Sequence, residues 1–542
     1  MRGGDGDQSI ASRSDGRSTD SEIFAVPSSD YSDCEYCEER RRELNNKRSG
    51  WYQSPSATTS HHQAPATSVT MHRSETAPLL SPAPVYRSIT TTSDSLGPGE
   101  LSSNEILSNY NKRHEKCVKP ERKKQSSLVT IFSVWNTVMG SSLLTMAWGV
   151  ERAGLPAALA LFAVMSAVCL YTAYVLLQVN YYHGNETCEV PALCRVLLGR
   201  GAEALAHAFS IVVLLGANVV YWILITNFLY FTVNYFKDIT SNSTVYNSSL
   251  LCPRHDGVNG SLLLPAPQPD PAYWALHSTV PVYVAFIVFP LLNFKNVTFF
   301  TKFNSLGTLS VAYLVIFVLV KGYTWGVNVI EWAGARAASH AAVLSGMLAL
   351  SFYIHNIIIT IMSGNERQEN NGRDLTIAFI LVTMTYTMVG AVFYICFPLA
   401  KSCIEDNILN NFEMHDVMTA VARLLLLFQV LTVYPLVAYM LRTEAILLLP
   451  FKDSRWLTVT INVVIVAICI LVACFCPSIG TIIRYTGAVS GLVHIFVLPP
   501  LLQLRSLRLR GRLTCARAAA LAAIAAAGVV NLGVQFFIQD DD

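Results

Sequence analysis

The sequence has few charged residues for its length. Only 14% of its 542 residues are Asp, Glu, Lys or Arg, whereas 52% are hydrophobic. A soluble enzyme of this size carries more charge and fewer long apolar runs. The opening stretch, MRGGDGDQSIASRSDG, also lacks the apolar core of a cleavable signal peptide. We therefore expect a membrane protein whose first spanning helix directs insertion, with the preceding tail in the cytosol.

Residues 1–125 lack long apolar runs and are rich in Ser, Thr, Pro, Arg and Glu. Such a composition cannot bury a core and predicts a disordered cytosolic tail for sorting and partner binding. Glu75 lies four residues before Leu79 and Leu80, which is the spacing of an acidic dileucine signal, and Tyr86 begins a tyrosine sorting pattern. Together these signals favour an endolysosomal, or late endosomal, location. The single CxxC at Cys34 lacks a second ligand pair, so we expect no zinc site.

Residues 126–542 form the predicted transmembrane transporter domain. A crossing needs about 20 mainly apolar residues. About eleven segments satisfy this requirement: 129–150, 155–180, 204–236, 277–293, 305–327, 340–362, 375–398, 416–440, 456–476, 481–503 and 515–537. The fold class expected is all-α, with a long luminal loop at about 237–276 and a luminal C-terminus.

Basic residues support this orientation. They concentrate in the connections that an N-terminus in the cytosol would place on the cytosolic side, as the positive-inside rule requires; these are Arg195, Arg200, Lys295, Lys302, Arg367, Arg373, Arg442, Lys452, Arg455, Arg505, Arg508, Arg510 and Arg512. Three glycosylation sequons, at Asn242, Asn247 and Asn259, fall in the long third connection, outside the cytosol. The sequons at Asn185 and Asn296 fall on the cytosolic side, and we expect them to stay unmodified.

Most of the 13 cysteines lie within predicted helices, where a cysteine ordinarily serves as a small buried apolar residue. Cys252 and Cys403 differ, because both lie in non-cytosolic connections. That compartment permits disulfides. We predict that these two residues pair and join the third connection to the seventh.

Polar residues interrupt the first and sixth spans. The first contains Asn136, Thr137, Val138, Met139, Gly140, Ser141 and Ser142, and the sixth contains SFYIHN from Ser351 to Asn356. Small residues can instead mark close helix packing. If spans 1–5 and 6–10 are inverted repeats, however, the two breaks are equivalent, as in transporters that bind substrate between discontinuous helices. His355 is either a proton relay or a neutral histidine that bonds a carbonyl freed by the break.

The eighth span contains Pro435, which removes one backbone hydrogen bond. Thr432 would then offer a hydroxyl beside a freed carbonyl, which makes a sodium site plausible; an ordinary proline kink is the alternative. Tyr434 either blocks the pathway or only packs. The spans contain almost no Asp or Glu, so chemistry alone favours neutral amino acids as substrates. With no paired carboxylates, metal cluster or nucleophile–base pair, we expect no enzyme.

The chain resembles the amino acid/auxin permease family, in its sodium-coupled neutral amino acid transporter branch, and most of all that branch's ninth-member group of lysosomal arginine-sensing transporters. The matching stretches cover most of residues 127–537: SLVTIFSVWNTVMGSSLL, ANVVYWILITNFL, VPVYVAFIVFPLLNFKN, FFTKFNSLGT, FYIHNIIIT, RQENNGRDL, SCIEDNIL, LLLLFQVLTVYPL and IGTIIRYTGA. His355-Asn356 and QENNGRDL at 368–375 are specific to this group, because other members of the branch typically carry His-Pro-Glu at the first position.

The resemblance implies a LeuT-like fold of eleven helices. It implies arginine bound at positions 137–142, where Ser141 replaces the family's Thr, and sodium bound by Thr432 and Asn136. Tyr434, His355 and Asn356 would lie on the transport pathway. Luminal arginine would promote efflux of leucine and other essential amino acids. The tail would engage the Rag GTPase–Ragulator complex and activate TOR complex one, although residues 1–110 show no clear match to the family's Rag-binding motif.

Two other functions are compatible with the same residues. One is a sodium- or proton-coupled neutral amino acid permease without a signalling role. The other is a receptor-like scaffold that binds an amino acid and moves none. Retention of partners by the tail separates the first from the signalling transporter, and a flux measurement separates the second.

Overall fold

Helices make up nearly all of the chain that the structure, a computed structural model, describes: residues 124–184, 189–240, 250–252, 273–293, 307–328, 340–448 and 455–538. These residues contain two isolated β-bridges and no β-strand ladder. Fifteen α-helices follow one another: α1 (Ser127–Val138), α2 (Met146–Ala153), α3 (Leu155–His183), α4 (Val190–Leu198), α5 (Arg200–Thr240), α6 (Val280–Leu292), α7 (Gly307–Trp325), α8 (Ala341–Ser351), α9 (Ile358–Ser363), α10 (Asn371–Cys396), α11 (Val417–Leu448), α12 (Arg455–Phe475), α13 (Ile479–Gly491), α14 (Leu498–Leu509) and α15 (Cys515–Gln535).

The helices group into the crossings that the sequence predicts. Over the described ranges, eight helical segments are long and apolar enough to span a bilayer, α1 and α2 form one bent pair, and α6 and α8 are shorter apolar helices. Each group falls on one of the eleven predicted segments. The expected fold class, an all-α multi-pass membrane protein, is confirmed.

Three crossings are not simple rods. A 3₁₀ helix at Ser141–Thr145 joins α1 to α2, and the axis bends by 56° at this break. In the sixth crossing α8 ends at Ser351, and α9 begins only at Ile358. The tenth crossing contains a π-helical turn, Leu492–Val497, between α13 and α14, which the hydropathy pattern did not predict. The first two breaks coincide with the predicted polar interruptions.

The centre of the bundle is built around α5 and α11, which pack along each other and contribute fully buried residues such as Trp222, Phe228 and Tyr434. The 41 residues of α5 would reach about 62 Å, longer than the roughly 30 Å of hydrocarbon, so this helix extends past the apolar layer. Large apolar side chains such as Phe286 and Phe475 remain exposed on the outside. Lipid covers such side chains in a membrane protein.

The predicted luminal connections are joined by covalent and hydrogen bonds. Cys252 and Cys403 form a disulfide with their Cα atoms 4.8 Å apart. Beside it, the N–H of Leu251 donates to the carbonyl of Asn411 (2.9 Å), and Asn411 Nδ2 donates to the carbonyl of Cys403 (2.6 Å). The third connection is thereby fastened to the seventh, as the sequence predicts. The sequons at Asn242, Asn247 and Asn259 lie outside the described residues.

The segment before α1 is tied to the segment after α9. The N–H of Gln125 donates to the carbonyl of Gly364 (2.8 Å), and the N–H of Glu366 donates to the carbonyl of Gln125 (2.8 Å). Asn365 in turn donates to the buried Asp374 at the start of α10 (2.8 Å). The ends of the two interrupted crossings therefore meet on one side of the bundle. The sorting residues Glu75, Leu79, Leu80 and Tyr86 lie outside the described residues.

Candidate functional site

The break in the first crossing leaves backbone groups without helical partners. Helix α1 ends at Val138, and Met139 (φ −68°, ψ 88°) and Gly140 (φ −114°, ψ −156°) turn the chain before the 3₁₀ helix. Within the described ranges, the N–H groups of Gly140, Ser141 and Ser142 donate no hydrogen bond. The carbonyls of Asn136 and Thr137 correspondingly lose the N–H groups that a continued helix would supply.

A cavity lies against this break and is called the break cavity below. Five of the predicted residues line it: Asn136, Thr137, Met139, Gly140 and Ser141. Three other helices complete the wall with residues at helical spacing, so that one face of each helix contributes. These residues are Tyr221, Leu224 and Phe228 of α5, Val311 and Leu314 of α7, and Leu426, Gln429, Val430 and Val433 of α11, together with Leu143 and Leu144 beyond the break.

Two predicted substrate residues, Val138 and Ser142, do not line the cavity and instead contact Tyr386 of α10. The Tyr386 hydroxyl lies 2.8 Å from the carbonyl of Val138 and 3.1 Å from the Ser142 hydroxyl. It also lies 3.1 Å from the carbonyl of Ser351, the last residue of α8. Because a phenol has one proton, it donates to one carbonyl at a time and can accept from Ser142. Tyr386 therefore links the two interrupted crossings.

His355 and Asn356 lie in the second break, away from the residues that line the cavity. His355 is fully buried, and its Nε2 lies 2.8 Å from the hydroxyl of Thr172 on α3. This hydrogen bond goes to a side chain rather than to a carbonyl freed by the break. Asn356 is half-buried in the non-helical segment between α8 and α9. Neither residue contributes to the cavity wall.

On α11 the structure separates Thr432 from the cavity. Thr432 donates its hydroxyl hydrogen to the carbonyl of Gln429 (2.7 Å), one turn earlier. Gln429 and Val433 line the cavity but Thr432 does not, because adjacent residues on a helix point about 100° apart and Thr432 lies to one side of that wall. The helix runs through Pro435 from Val417 to Leu448.

Tyr434 is fully buried, and its ring packs against Trp222 of α5, with the ring centroids 5.5 Å apart. Its hydroxyl lies 3.7 Å from the sulfur of Cys469. These are packing contacts, which favours the second of the two interpretations of this residue.

The predicted sodium pair is therefore not brought around one space: Asn136 lines the break cavity and Thr432 does not. Another oxygen there does fit a cation. The Oε1 atom of Gln429 is buried and has no hydrogen-bond partner among the described residues. Asn136 Oδ1 accepts a hydrogen bond from the Thr308 hydroxyl (3.1 Å) and has capacity for another contact. Hard cations prefer such neutral oxygens and do not require a carboxylate.

The wall of the break cavity carries no charged side chain. Its polar groups are hydroxyls, amides and backbone, and the rest is aliphatic or aromatic. Such a wall can bind the backbone of an amino acid through N–H and C=O groups and accept an apolar side chain. Sequence reasoning found the break itself but missed Tyr221, Gln429 and Tyr386. A tyrosine hydroxyl inside an apolar span needs a partner, and that requirement is the signal that could have singled out Tyr386.

Comparisons with known proteins agree with this chemistry. Residues 123–533 match the family described as transmembrane amino acid transporter protein. The chain is 38% identical over 457 residues to the sodium-coupled neutral amino acid transporter 9 homolog of Caenorhabditis elegans, covering 77% of this chain and 74% of that protein. It is 36% identical to neutral amino acid transporter 9 of Rattus norvegicus (77% and 80% covered) and 37% identical to that of Danio rerio (77% and 81% covered).

Proposed function

Because the chain belongs to the transmembrane amino acid transporter family, and is therefore a multi-pass membrane protein that transports amino acids, we propose that its substrate binds in the break cavity. The observation that carries this proposal is the pair of unpaired N–H groups at Gly140 and Ser141, two residues that line an uncharged cavity. An unpaired buried N–H group is costly unless a ligand or water satisfies it. A carboxylate is the ligand that such a set favours.

Different groups of the site bind different parts of the amino acid. The N–H groups of Gly140 and Ser141, at the start of the 3₁₀ helix that leads into α2, hold the carboxylate, and the positive end of the helix dipole adds to the attraction. The carbonyls of Asn136 and Thr137, left over at the end of α1, hold the ammonium group. The side chain then lies against Leu224, Phe228 and the other apolar residues of the wall. Because this wall has no carboxylate, it favours a neutral side chain.

We propose that sodium couples transport and that Asn136 and Gln429 hold the ion. Support comes from the free buried oxygen of Gln429 and from the position of both amides on the cavity wall. The ion would supply a positive charge close to the amino acid carboxylate. Coupling to protons is the alternative, and replacing sodium with choline in the transport buffer separates the two.

We also propose the finer role that the sequence resemblance implies. The protein would reside in the lysosomal membrane, where luminal arginine promotes efflux of leucine and other essential amino acids, and its tail would signal through Rag GTPase–Ragulator to TOR complex one. The support is the His355-Asn356 and QENNGRDL motifs. The relatives' printed names mention neutral amino acids only, and residues 1–123, which carry the tail and its sorting signals, lie outside the described structure.

The first experiment measures leucine efflux from proteoliposomes that contain the purified full-length protein, with and without arginine on the luminal face. Ser141→Trp places a bulky ring in the cavity and should abolish efflux. Val164→Trp adds the same ring on the exposed, lipid-facing side of α3 and should leave efflux unchanged. Efflux that survives Ser141→Trp would contradict the site. Leucine efflux that is the same with and without arginine would favour the alternative function, a neutral amino acid permease.

A second experiment tests signalling separately. The full-length chain and a chain without residues 1–110 are each used to capture purified Ragulator and Rag subunits. Retention by the full-length chain alone would support the signalling role. Failure of the full-length chain to retain them would remove that role and leave transport untouched.

A further inference from the structure

Three arginines converge on a second cavity, far in sequence from the break and between α3, α14 and α15. Arg510 and Arg512 lie in the turn that joins α14 to α15, and Arg517 lies in the first turn of α15. Tyr171, Gln178 and Tyr182 of α3 and Gln503 and Leu507 of α14 complete one side. This space is called the arginine pocket. It belongs to the end of the bundle that the positive-inside rule places in the cytosol.

The arginine pocket has a strong excess of positive charge. No Asp or Glu lines it, and no described carboxylate lies within ion-pair distance of Arg510, Arg512 or Arg517. The Arg510 guanidinium sits 3.4 Å from the centroid of the Tyr182 ring, and Arg517 Nη1 donates to the carbonyl of Arg512 (3.0 Å). Guanidinium groups that line one cavity repel one another, and an anion between them relieves that repulsion.

The turn that carries these arginines is stabilised by a glycine and by hydrogen bonds. Gly511 adopts φ +63°, which is a left-handed conformation that favours glycine, and the N–H of Arg512 donates to the carbonyl of Leu507 (2.9 Å). The Thr514 side chain caps α15 by accepting from the N–H of Arg517. Below the turn, Gln503 Nε2 donates to Gln178 Oε1 (2.8 Å) and joins α14 to α3. The backbone that carries the arginines is therefore tied to α14 and α15 by hydrogen bonds, which lowers the entropic cost of bringing these side chains to one ligand.

The arginine pocket borders an apolar, membrane-facing surface. Ala520 and Leu521 of α15 also line the pocket, about one turn further along the helix than Arg517. Only 17% of the apolar window of α15 is buried in the protein, so the outer face of this helix is left for lipid. Tyr171, on the neighbouring face of α3, is also exposed. The cavity thus combines a cationic mouth with an apolar wall that continues into the bilayer.

We propose that the arginine pocket binds the phosphate headgroup of an anionic phospholipid, with the acyl chains lying along α3 and α15. Guanidinium groups bind phosphate oxygens through paired hydrogen bonds, and basic pockets between transmembrane helices suit such headgroups. A free phosphate would satisfy the same guanidinium groups, but it would leave the apolar wall unused. The lipid is therefore the occupant that fits both parts. This inference does not depend on where the transported amino acid binds.

The experiment titrates the purified full-length protein in nanodiscs of phosphatidylcholine with a short-chain phosphatidylinositol 4-phosphate and follows binding by native mass spectrometry. Arg510→Gln/Arg512→Gln should weaken binding at least tenfold. Arg505→Gln/Arg508→Gln removes the same charge from exposed arginines of α14 that do not line the pocket, and it should change binding less than twofold. An equal loss in both pairs would overturn the proposal, because the attraction would then come from general surface charge.

A second arm separates lipid from free anion. Soluble inositol 1,4-bisphosphate and inorganic phosphate are titrated against the same protein. We expect them to bind at least tenfold more weakly than the lipid, and equal affinity would overturn the lipid assignment. Ala520→Trp fills the apolar part of the pocket and should reduce lipid binding while leaving the soluble anions unaffected. This variant keeps the proposal testable if the arginine double variant fails to fold, because lipid binding unchanged by Ala520→Trp would also overturn it.

Discussion

At the residue scale, the Tyr386 hydroxyl contacts residues at both breaks. Replacing Tyr386 with Phe removes the hydroxyl group and leaves the carbonyls of Val138 and Ser351 without this donor. Leaving buried polar groups unsatisfied costs about 1–3 kcal/mol. We expect Tyr386→Phe to lower the melting temperature of the purified protein and to slow leucine efflux. A melting temperature equal to that of the unmodified protein would contradict the role of Tyr386 as a link.

The matched control is Tyr434→Phe. Tyr434 is also a fully buried tyrosine of the bundle, but its hydroxyl has only the Cys469 sulfur at 3.7 Å as a described partner. Removal of the Tyr434 hydroxyl should therefore change the melting temperature by less than removal of the Tyr386 hydroxyl does. A larger effect at Tyr434 would mean that burial of the ring, rather than the hydroxyl, sets the cost at both positions.

Gly140 supports a second prediction at this scale. Its φ of −114° is open to any residue, and an added Cβ would lie 3.7 Å from the Tyr221 hydroxyl, an ordinary contact. Gly140→Ala should therefore fold normally, within about 1 kcal/mol. Gly487→Ala is the contrasting variant, because its Cβ would lie 2.3 Å from the carbonyl of Gly346 and 2.8 Å from the N–H nitrogen of Leu350. Thermal unfolding of the two variants should differ clearly, and equal stability would contradict this account.

The residues of the site could be predicted only in part. Asn136, Gly140 and Ser141 stand out in the sequence because they interrupt an apolar run, and they do line the cavity. Thr432 stood out in the same way beside Pro435 but does not line the cavity, because one residue of helix rotates a side chain by about 100°. Gln429 has no local signal, since its importance comes from α11 packing beside the break. A local sequence pattern can reveal a broken helix, whereas the residues of other helices that lie beside the break are determined by packing.

At the element scale, Asp416 holds the start of α11. Its carboxylate accepts from the N–H (2.9 Å) and hydroxyl (3.0 Å) of Thr419 and pairs with Lys321 of α7. Burial alone would raise the pKa of Asp416, but the Lys321 ammonium and the two Thr419 donors together lower the pKa below its ordinary value of 3.8. A lowered folded-state pKa means that this stabilisation is present above pH 3.8 and is lost as the pH falls through the folded-state pKa.

We therefore expect the contribution of Asp416 to be constant between pH 5 and pH 7, the range that an acidic lumen would span. Asp416→Asn removes the charge and should lower the melting temperature by a similar amount at both pH values. Thermal unfolding in detergent at the two pH values checks this. Glu369→Gln is the control, since Glu369 is an exposed carboxylate in the turn just before α10 and lies outside α11. A drop in melting temperature seen only at pH 7 would mean that the Asp416 pKa is raised instead of lowered.

The positions of the membrane-spanning helices were predicted from the sequence more accurately than their ends and internal irregularities. Hydropathy located each crossing, because a bilayer requires a minimum apolar length and leaves no alternative to a helix. It did not find the π-helical turn at Leu492–Val497, whose residues are as apolar as those of a regular helix. It also placed the end of α5 at residue 236 and the end of α11 at residue 440, short of Thr240 and Leu448. Helices continue past the membrane wherever protein contacts support them.

At the scale of the whole molecule, the Cys252–Cys403 disulfide is the one covalent link between distant parts of the described chain, and it spans 151 residues. For a soluble chain, a loop of this length would give a stabilisation of about 5 kcal/mol from chain entropy. Membrane insertion already restricts the unfolded chain, so we expect a smaller effect. Cys252→Ser/Cys403→Ser should nevertheless lower the melting temperature, whereas Cys476→Ser, which removes an exposed free thiol, should not.

Alkylation of the unreduced, denatured protein gives the direct measurement. Mass spectrometry should find Cys476 and Cys515 modified, and Cys252 and Cys403 modified only after reduction. Because a disulfide needs an oxidising compartment, protection of this pair would also place the third and seventh connections on the non-cytosolic side and so support the predicted orientation. Modification of both cysteines before reduction would remove the link, and the orientation would then depend on the positive-inside rule and the three sequons of the third connection.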